Sequence, residues 1–262
     1  MKTLKIYQVD AFTGEIFSGN PAAVCPLNEW LPDHVMQSIA AENNLSETAF
    51  FTRENSEFLI RWFTPTIEID LCGHATLASA HVLYSELGLK EENVEFHTKT
   101  GDLLKVTRDN DIISMDFPSH VSKQYDCDLN EIGEALGAKP IAFESATYGL
   151  AIFENESDIL NLNPNFQAIK KLEHDGIIVT APGDDVDFVS RFFGPKLGIP
   201  EDPVTGGAHC SLIPYWSKRL AKKNLIARQL SERGGELYCA HRGNRVQIGG
   251  RAITYLRGEL LI

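Results

Sequence analysis

The amino-acid sequence predicts an α+β protein made of two similar halves, each with a β-sheet wrapped around one central helix. Three observations lead to this prediction. Short segments with alternating apolar and polar residues outnumber segments with helical periodicity, which favours strands. A series of three motifs occurs twice along the chain, and each series ends in a predicted β-hairpin. Because the strands do not alternate regularly with helices, a doubly wound parallel sheet is not favoured.

The internal repeat gives the organisation of the chain. The repeated pairs are 58–65 with 188–195, 71–76 with 203–209, and 101–104 with 235–238. Chance similarity between aromatic-rich strands is a poor explanation for three motifs that recur in the same order. The repeat therefore predicts a first half at residues 1–118 and a second half at 119–250. The last strand, about 251–262, is a candidate to pack on the first half.

Strands and hairpins are expected where residues alternate with a period of two. The strands are expected at 4–9, 48–52, 58–63, 148–153 and 176–181. The hairpin arms are expected at 94–108 with 112–117, and at 237–241 with 245–248. Gly243 and Asn244 between the last two arms are a strong signal for a tight turn.

Helices are expected at fewer places. In segment 32–43, Pro32 is suited to a first helical turn, and Val35, Ile39 and Ala40 lie on one face. A central helix is expected to follow the small-residue cluster of each half. A short helix pattern at 129–136 lies in the segment that leads into the second half.

Composition limits the partners and the location. The net charge of −12 argues against nucleic acid or an anionic membrane as a partner. The five cysteines are an odd number without a CxxC pair, which favours a reducing compartment. The chain opens on a strand-like pattern rather than a secretory leader, and no apolar run approaches the roughly 20 residues of a membrane span. We therefore expect a cytoplasmic protein without a membrane partner.

Two clusters of small residues are candidate anion sites. Gly73 and Ala75 open the first central helix, and Gly206 and Gly207 open the second. Backbone N–H groups in a first helical turn have no acceptor within the helix, and the helix dipole favours an anion such as a carboxylate. A single helix start of this kind commonly serves only tight packing. Its presence in both halves favours a cleft between them that binds a small carboxylate-bearing molecule.

Three polar side chains are candidates for the chemistry. Glu47 lies between a helix end and an apolar strand, where a partly desolvated carboxylate is suited to exchange protons; the alternative is a solvated loop residue. His74 could donate to a substrate or share the proton transfer, although a lone histidine is more often structural. Asp202 could cap the following turn or bind an amine or hydroxyl of the ligand.

No cofactor or metal is predicted. Cys72 with His74, and His209 with Cys210, lack the spacing of zinc ligands and a third and fourth partner nearby in the sequence. The sequence also contains neither a GxGxxG dinucleotide motif nor a GxxxxGK phosphate loop.

Six motifs resemble those of the PhzF family of phenazine-biosynthesis isomerases, and the resemblance runs nearly end to end. The motifs lie at 10–13, 17–24, 44–50, 61–65, 71–76 and 201–206. The resemblance implies a fold similar to that of diaminopimelate epimerase. In that fold, two pseudo-symmetric domains each have a β-barrel-like sheet around a central helix.

The resemblance also implies roles for individual residues. Glu47 would be the general acid/base, with His74 and Asp202 binding or orienting the substrate. The segments around Gly73 and Gly206 would hold its carboxylate. The residues implied to line the substrate are Cys72, Gly73, Ala75, Thr205, Gly206 and Gly207.

Related epimerases use two cysteine thiols, one in each half, whereas this chain has Cys72 in the first position and Thr205 in the second. Because a threonine hydroxyl is a much weaker acid than a thiol, racemisation by two thiols is not expected.

The sequence therefore predicts a cofactor-independent isomerase that shifts a proton on a small carboxylate-bearing substrate, with Glu47 as the acid/base. One alternative is an amino-acid racemase or epimerase that uses Cys72. Another is a ligand-binding protein that has lost its chemistry. A homodimer is plausible for a chain of this size and family. The natural substrate depends on pocket walls between the motifs and is not predicted.

Overall fold

A computed structural model describes residues 3–55 and 57–262 of the chain, so residues 1, 2 and 56 of the first predicted half lie outside the described residues. Internal packing divides the described chain into two compact units. The first contains the residues up to Asp116 together with Gly249–Ile262, and the second is Phe117–Ile248.

The first unit contains most of its strands before residue 119. Its elements are β1 (Thr3–Ala11), β2 (Asn20–Leu27), α1 (Asp33–Asn43), β3 (Glu47–Glu54), β4 (Glu57–Phe63), β5 (Glu68–Ile69), α2 (Gly73–His81), β6 (Asn93–Thr98), β7 (Leu103–Asp109) and β8 (Ile112–Pro118). A π-helical turn at Val82–Glu86 continues α2.

The second unit begins with a short strand and carries more helices. Its elements are β9 (Lys123–Gln124), α3 (Leu129–Leu136), β10 (Ala142–Ser145), β11 (Gly149–Ile152), α4 (Glu156–Leu160), α5 (Phe166–Ile169), β12 (Ile177–Pro182), β13 (Phe188–Gly194), β14 (Ile199–Asp202), α6 (Gly206–Leu220), β15 (Asn224–Gln229), β16 (Gly235–His241) and β17 (Arg245–Gly250). The final strand, β18 (Ala252–Leu261), pairs with β1.

Strand pairing follows the same scheme in both units. In the first, β1 and β2 are antiparallel, β2 and β3 parallel, β3 and β4 antiparallel, β4 and β6 parallel, and β6 and β7 antiparallel. In the second, β10, β11, β12, β13, β15 and β16 pair in that order with the same alternation of directions. The short strands β5 and β14 pair with β4 and β13. The predicted α+β class is confirmed, and the sequence repeat corresponds to a repeat of topology.

Each unit buries most of one helix. In α2, every residue from His74 to Ala80 is buried, and the helix packs against β1, β2, β3 and β18. A helix that is apolar on all sides must be enclosed by other elements. Its small side chains, such as Ala75 and Ala78, allow that close approach. In the second unit, α6 is the corresponding long helix and packs against β15 and β16.

Helix α1 covers the other face of the first sheet and agrees with the predicted segment. Its buried residues are Met36, Ile39 and Ala40, whereas the predicted core residue Val35 is only half-buried. These residues pack with Leu4, Cys25, Phe50 and other strand side chains in one apolar cluster.

Three local predictions were wrong or incomplete. The arm predicted at 94–108 is two strands, because the chain turns at Gly101, which has φ +90°. Strand β2 was not predicted, since Pro21 and Pro26 argue against a strand inside a sheet. Helices α4 and α5 were also missed, although Asn155 and Asn165 cap them. In the part of the chain that the structure describes, no helix is long and apolar enough to cross a bilayer.

Candidate functional site

The position of Glu47 is set by the end of α1 and the beginning of β3. Asn44 ends the helix in the left-handed conformation, with φ 49°, and donates its N–H to the Ala40 carbonyl at 3.1 Å. The Asn43 side chain then donates to the Thr48 hydroxyl at 3.0 Å. Hydrogen bonds of residues before and after Glu47 therefore hold the turn between α1 and β3.

Glu47 lies on the face of the sheet opposite to α1. Strand β3 is paired on both sides, with β2 and with β4. Side chains alternate along a strand, and Phe50 packs in the cluster under α1, so Glu47 and Ala49 point to the α2 side. Glu47 is only 7% exposed there, which is unusual for a carboxylate, and no lysine or arginine pairs with it among residues 3–55 and 57–262.

Helix α2 begins at the same place. Cys72 precedes the helix in an extended conformation, with φ −143°, and its carbonyl accepts the Thr76 hydroxyl at 2.6 Å and the Thr76 N–H at 3.1 Å. The N–H groups of the first turn, which includes Gly73 and His74, have no acceptors within the helix. Together with the helix dipole they favour a negative charge at this point.

Glu47, Cys72 and His74 form one buried cluster. His74 Nε2 lies 3.1 Å from Glu47 Oε2, and His74 Nδ1 lies 3.5 Å from the Cys72 sulfur. The histidine ring therefore stands between the carboxyl and the thiol. Neither Glu47 Oε2 nor His74 Nε2 has a well-aligned hydrogen bond to any described residue. Buried polar atoms in this condition are expected to have a further partner.

The charge state of the cluster follows from its burial and from its members. Burial alone lowers the pKa of His74, but the electrostatic interactions with the adjacent Cys72 and Glu47 outweigh burial and raise it well above 6.5. Burial, and then the charge of Glu47, raises the pKa of Cys72. The raised pKa of Cys72 favours its protonated form, which carries no charge, so the adjacent Glu47 is then the acidic group that favours a protonated His74. The pair offers a proton acceptor beside a proton donor.

The same cluster could hold a metal ion. One donor atom from each of Glu47, Cys72 and His74 can be chosen so that all three lie within 4.8 Å of one another. The sequence spacing suggested no third ligand for Cys72 and His74, because Glu47 reaches them only through the fold. That no metal binds stays a prediction.

In the second unit, the start of α6 is held by a network around Gln229. Thr205 precedes the helix, and its hydroxyl donates to Asp202 Oδ2 at 2.5 Å. The Gln229 amide oxygen accepts the Thr205 N–H at 2.9 Å, and its nitrogen donates to the Asp202 carbonyl at 2.8 Å. Gln229 is 1% exposed. The residues before Gly206 are therefore fixed by three side chains.

His209 lies one turn further along α6 and is completely buried. Its Nδ1 bonds to the Thr205 carbonyl at 2.8 Å, and its ring lies 5.9 Å from that of Phe188. Burial lowers the pKa of His209 to about 4. The side chain is therefore neutral in the folded protein at neutral pH, and it supports the helix start.

An arginine–glutamate clamp precedes both helix starts. Arg61 on β4 binds Glu68 on β5 through two bonds of 2.6 and 2.8 Å, and Arg191 on β13 binds Glu201 on β14 through two bonds of 2.8 and 2.9 Å. Each glutamate lies five residues before the first residue of α2 or α6. Each guanidinium also lies over the ring of the phenylalanine two positions later, at 5.2 and 5.0 Å.

The structure gathers the predicted site residues into two groups. Glu47, Cys72, Gly73, His74 and Ala75 meet at the start of α2, and Asp202, Thr205, Gly206 and Gly207 meet at the start of α6. Sequence reasoning missed Gln229, which no motif marks. It also missed the clamps, although the repeated arginines at 61 and 191 were visible in the duplicated segment.

The chain is similar to known proteins both in sequence and in structure. Residues 9–258 match the model of a protein family described as phenazine biosynthesis-like protein, PhzC-PhzF. An uncharacterized isomerase of Pseudomonas aeruginosa is 48% identical over 258 residues, which cover 98% of this chain and 98% of that protein.

Two solved structures show how far the similarity extends. A phenazine biosynthesis protein of the PhzF family from Enterococcus faecalis is 47% identical, with a TM-score of 0.97 and complete coverage of both chains. A hydroxyproline epimerase from Agrobacterium vitis is only 11% identical, with a TM-score of 0.64 over 98% of this chain and 92% of that one. The second likeness concerns the fold alone.

Proposed function

This chain belongs to the PhzC-PhzF family of phenazine biosynthesis-like proteins and is an isomerase, and from that premise we propose that Glu47 shifts a proton on a carboxylate-bearing substrate. The epimerase-like fold expected from the motifs is confirmed by the structural neighbours. The observation that carries the proposal is the buried contact of 3.1 Å between Glu47 and His74 at the start of α2.

In this proposal, Glu47 takes a proton from an acidic carbon of the substrate and returns a proton to another position or face. His74, held protonated by the Glu47 charge, donates a hydrogen bond or a proton to the substrate. The first-turn N–H groups of α2 hold the substrate carboxylate and stabilise the charge that develops beside it. No step in this scheme needs a cofactor.

We also propose a binding role for the start of α6. The network of Asp202, Thr205 and Gln229 fixes the chain before Gly206 and Gly207, whose N–H groups open the helix. Such an arrangement suits an acidic or hydroxyl group of a ligand. Asp202 would bind or orient a polar group rather than carry the proton.

The alternative of a racemase based on Cys72 is less well supported. Burial and the Glu47 charge raise the pKa of the Cys72 thiol, which leaves little thiolate to act as a base. Thr205, in the position of the second thiol of related epimerases, already donates its hydroxyl to Asp202. Loss of activity in Cys72→Ser, with activity retained in Glu47→Gln, would favour this alternative.

The test is a screen of unsaturated and amino-substituted carboxylic acids in heavy water, followed by NMR. Wild-type protein is expected to introduce deuterium into at least one acid. Glu47→Gln should lose this activity, whereas binding of the same acid, measured by calorimetry, should persist. Glu54→Gln is the matched control, because Glu54 is an exposed residue of the same strand. Exchange at the wild-type rate in Glu47→Gln would remove Glu47 from the proposed role.

A further inference from the structure

We propose that Glu47, Cys72 and His74 also bind a thiophilic divalent cation, with Zn²⁺ as the reference ion, and that the bound ion blocks the proton shift. The evidence for ion binding is the geometry of the cluster, and it does not depend on the proposed function. That it blocks the reaction rests on the proposed function. The two statements are tested separately below.

The donor set fits zinc in its chemistry. A thiolate, an imidazole and a carboxylate are the three kinds of side chain that bind this ion in proteins. With deprotonated Cys72, ionised Glu47 and neutral His74, the ligands supply two negative charges to a divalent ion, so the buried site is neutral overall. This neutrality offsets the unfavourable dipole at the start of α2, which by itself repels a cation.

The distances require only a small adjustment. Neighbouring ligand atoms around a tetrahedral zinc lie roughly 3.3–3.8 Å apart, as its bond lengths dictate. The Cys72 sulfur and His74 Nδ1 are already 3.5 Å apart, and the full three-atom set lies within 4.8 Å. A shift of about 1 Å by the Glu47 carboxyl or the His74 ring brings the three ligand atoms to the separations of a tetrahedral zinc site.

The cluster also contains unused donor capacity. Glu47 is 7% exposed and His74 is 6% exposed, yet Glu47 Oε2 and His74 Nε2 lack a well-aligned hydrogen bond among the described residues. In the proposed site, an ion bound by His74 Nδ1 and the Cys72 sulfur takes Glu47 Oε2 as its third ligand in place of the contact with His74 Nε2. The fourth position of the ion remains open for water, as in zinc sites with three protein ligands.

The bound ion would stop the proton shift for a direct reason. A Glu47 carboxylate that coordinates a divalent ion is a much weaker base, so it no longer takes the proton from the acidic carbon. The protons of Cys72 and of the protonated His74 are both released to the buffer when the ion binds. Mg²⁺ should not compete, because it prefers six oxygen ligands.

Binding is tested with Co²⁺, the spectroscopic substitute for zinc, titrated into the full chain after treatment with a chelator. The wild type is expected to develop the sulfur-to-cobalt absorption of a thiolate ligand, and added Zn²⁺ should remove it. Cys72→Ser should lose the absorption. Cys127→Ser, which changes the half-buried cysteine of the second unit, should retain it. Glu47→Gln keeps the thiol and should bind Co²⁺ at least about tenfold more weakly.

Several results would overturn the proposal. They are the absence of the absorption in the wild type, its persistence in a folded Cys72→Ser, and its loss in Cys127→Ser. If Cys72→Ser does not fold by circular dichroism, wild-type affinity in Glu47→Gln would overturn it instead. Deuterium exchange with and without Zn²⁺ then tests the blocking effect. Exchange that Zn²⁺ leaves unchanged, in protein that shows the absorption, refutes the block but not the proton shift.

Discussion

Glu47 and His74 are buried side by side, and their separation of 3.1 Å determines what the pair can do. A buried carboxylate is stable only with a partner, and the raised pKa of His74 identifies that partner as the imidazolium. In the proposed reaction, a substrate that enters beside them meets a carboxyl group and a histidine whose raised pKa favours its protonated form. Cys72, whose thiol keeps its proton, is the neutral third member.

The buried His209 predicts how stability depends on pH. Its folded pKa of about 4 lies below the usual 6.5 of an exposed histidine, so the unfolded chain binds more protons between these values. Stability should therefore fall as pH falls from 6.5 towards 4, with a contribution of about 3 kcal/mol from this residue. Urea unfolding at pH 7 and pH 4.5 measures the change.

His209→Gln is the control for this effect, because an amide can still donate to the Thr205 carbonyl without titrating. The variant is expected to lose less stability than the wild type over the same pH interval. An equal loss in both proteins would show that other groups cause the pH dependence.

At the level of elements, the two arginine–glutamate clamps fix the short strands that lead into α2 and α6. Arg61 is bonded to Glu68 in two places and also to Asp33 at 2.9 Å, and the bond from Arg61 lowers the pKa of Glu68. The side chain of Arg61 is 11% exposed and that of Glu68 is 24% exposed. Because the clamp is partly buried, removal of one partner should cost more stability than the loss of a surface ion pair, even where the net contribution of the intact pair is small.

Arg61→Met is expected to reduce the free energy of unfolding by about 2 kcal/mol, because it leaves the partly buried Glu68 carboxylate with Lys99, at 2.8 Å, as its remaining cationic partner. The double variant Arg61→Met, Glu68→Met should lose less than the sum of the two single variants. Lys105→Met is the control, since Lys105 makes an exposed contact of 3.8 Å with Glu95 and should change stability by less than about 0.5 kcal/mol. Additive losses in the clamp would show that the pair is not coupled.

The start of α6 offers a variant that separates folding from binding. An added Cβ at Gly207 would meet no heavy atom within 4 Å, so the fold does not require glycine there. Gly207→Ala should keep or raise stability, by up to about 1 kcal/mol, because alanine favours the helix.

If the N–H groups at this helix start bind the substrate, the same methyl group should hinder its approach and raise KM. Thermal unfolding and the exchange assay measure the two effects. An unchanged KM in Gly207→Ala would argue against ligand binding at Gly207.

At the level of the whole molecule, the elements in the duplicated segments could be predicted from the sequence. Elements and contacts that depend on residues distant in the sequence could not. The duplicated segments correctly indicated strands β4 and β13 and the helices after them. By contrast, β2 contains two prolines and is a strand only because β1 and β3 flank it. Gln229 supports Thr205 from 24 residues away, and nothing in its local sequence shows this.

In the candidate site, single residues could likewise be predicted from the sequence, but the contacts between elements could not. Glu47 and His74 were individually recognisable from their motifs, but their contact depends on the packing of β3 against α2. The potential third metal ligand was overlooked for that reason. Local spacing identifies ligands on one element, whereas it does not reveal a side chain from a neighbouring strand.

The central claim, that Glu47 carries the proton, is tested most directly by the rate of deuterium incorporation from solvent into a saturating acid substrate. The measurement compares chelator-treated wild-type protein with Glu47→Gln and with the control Glu54→Gln. The expected result is a decrease of at least about 100-fold in Glu47→Gln, the size typical for loss of a general acid/base, and no change in Glu54→Gln. A folded Glu47→Gln protein that incorporates deuterium at the wild-type rate would contradict it.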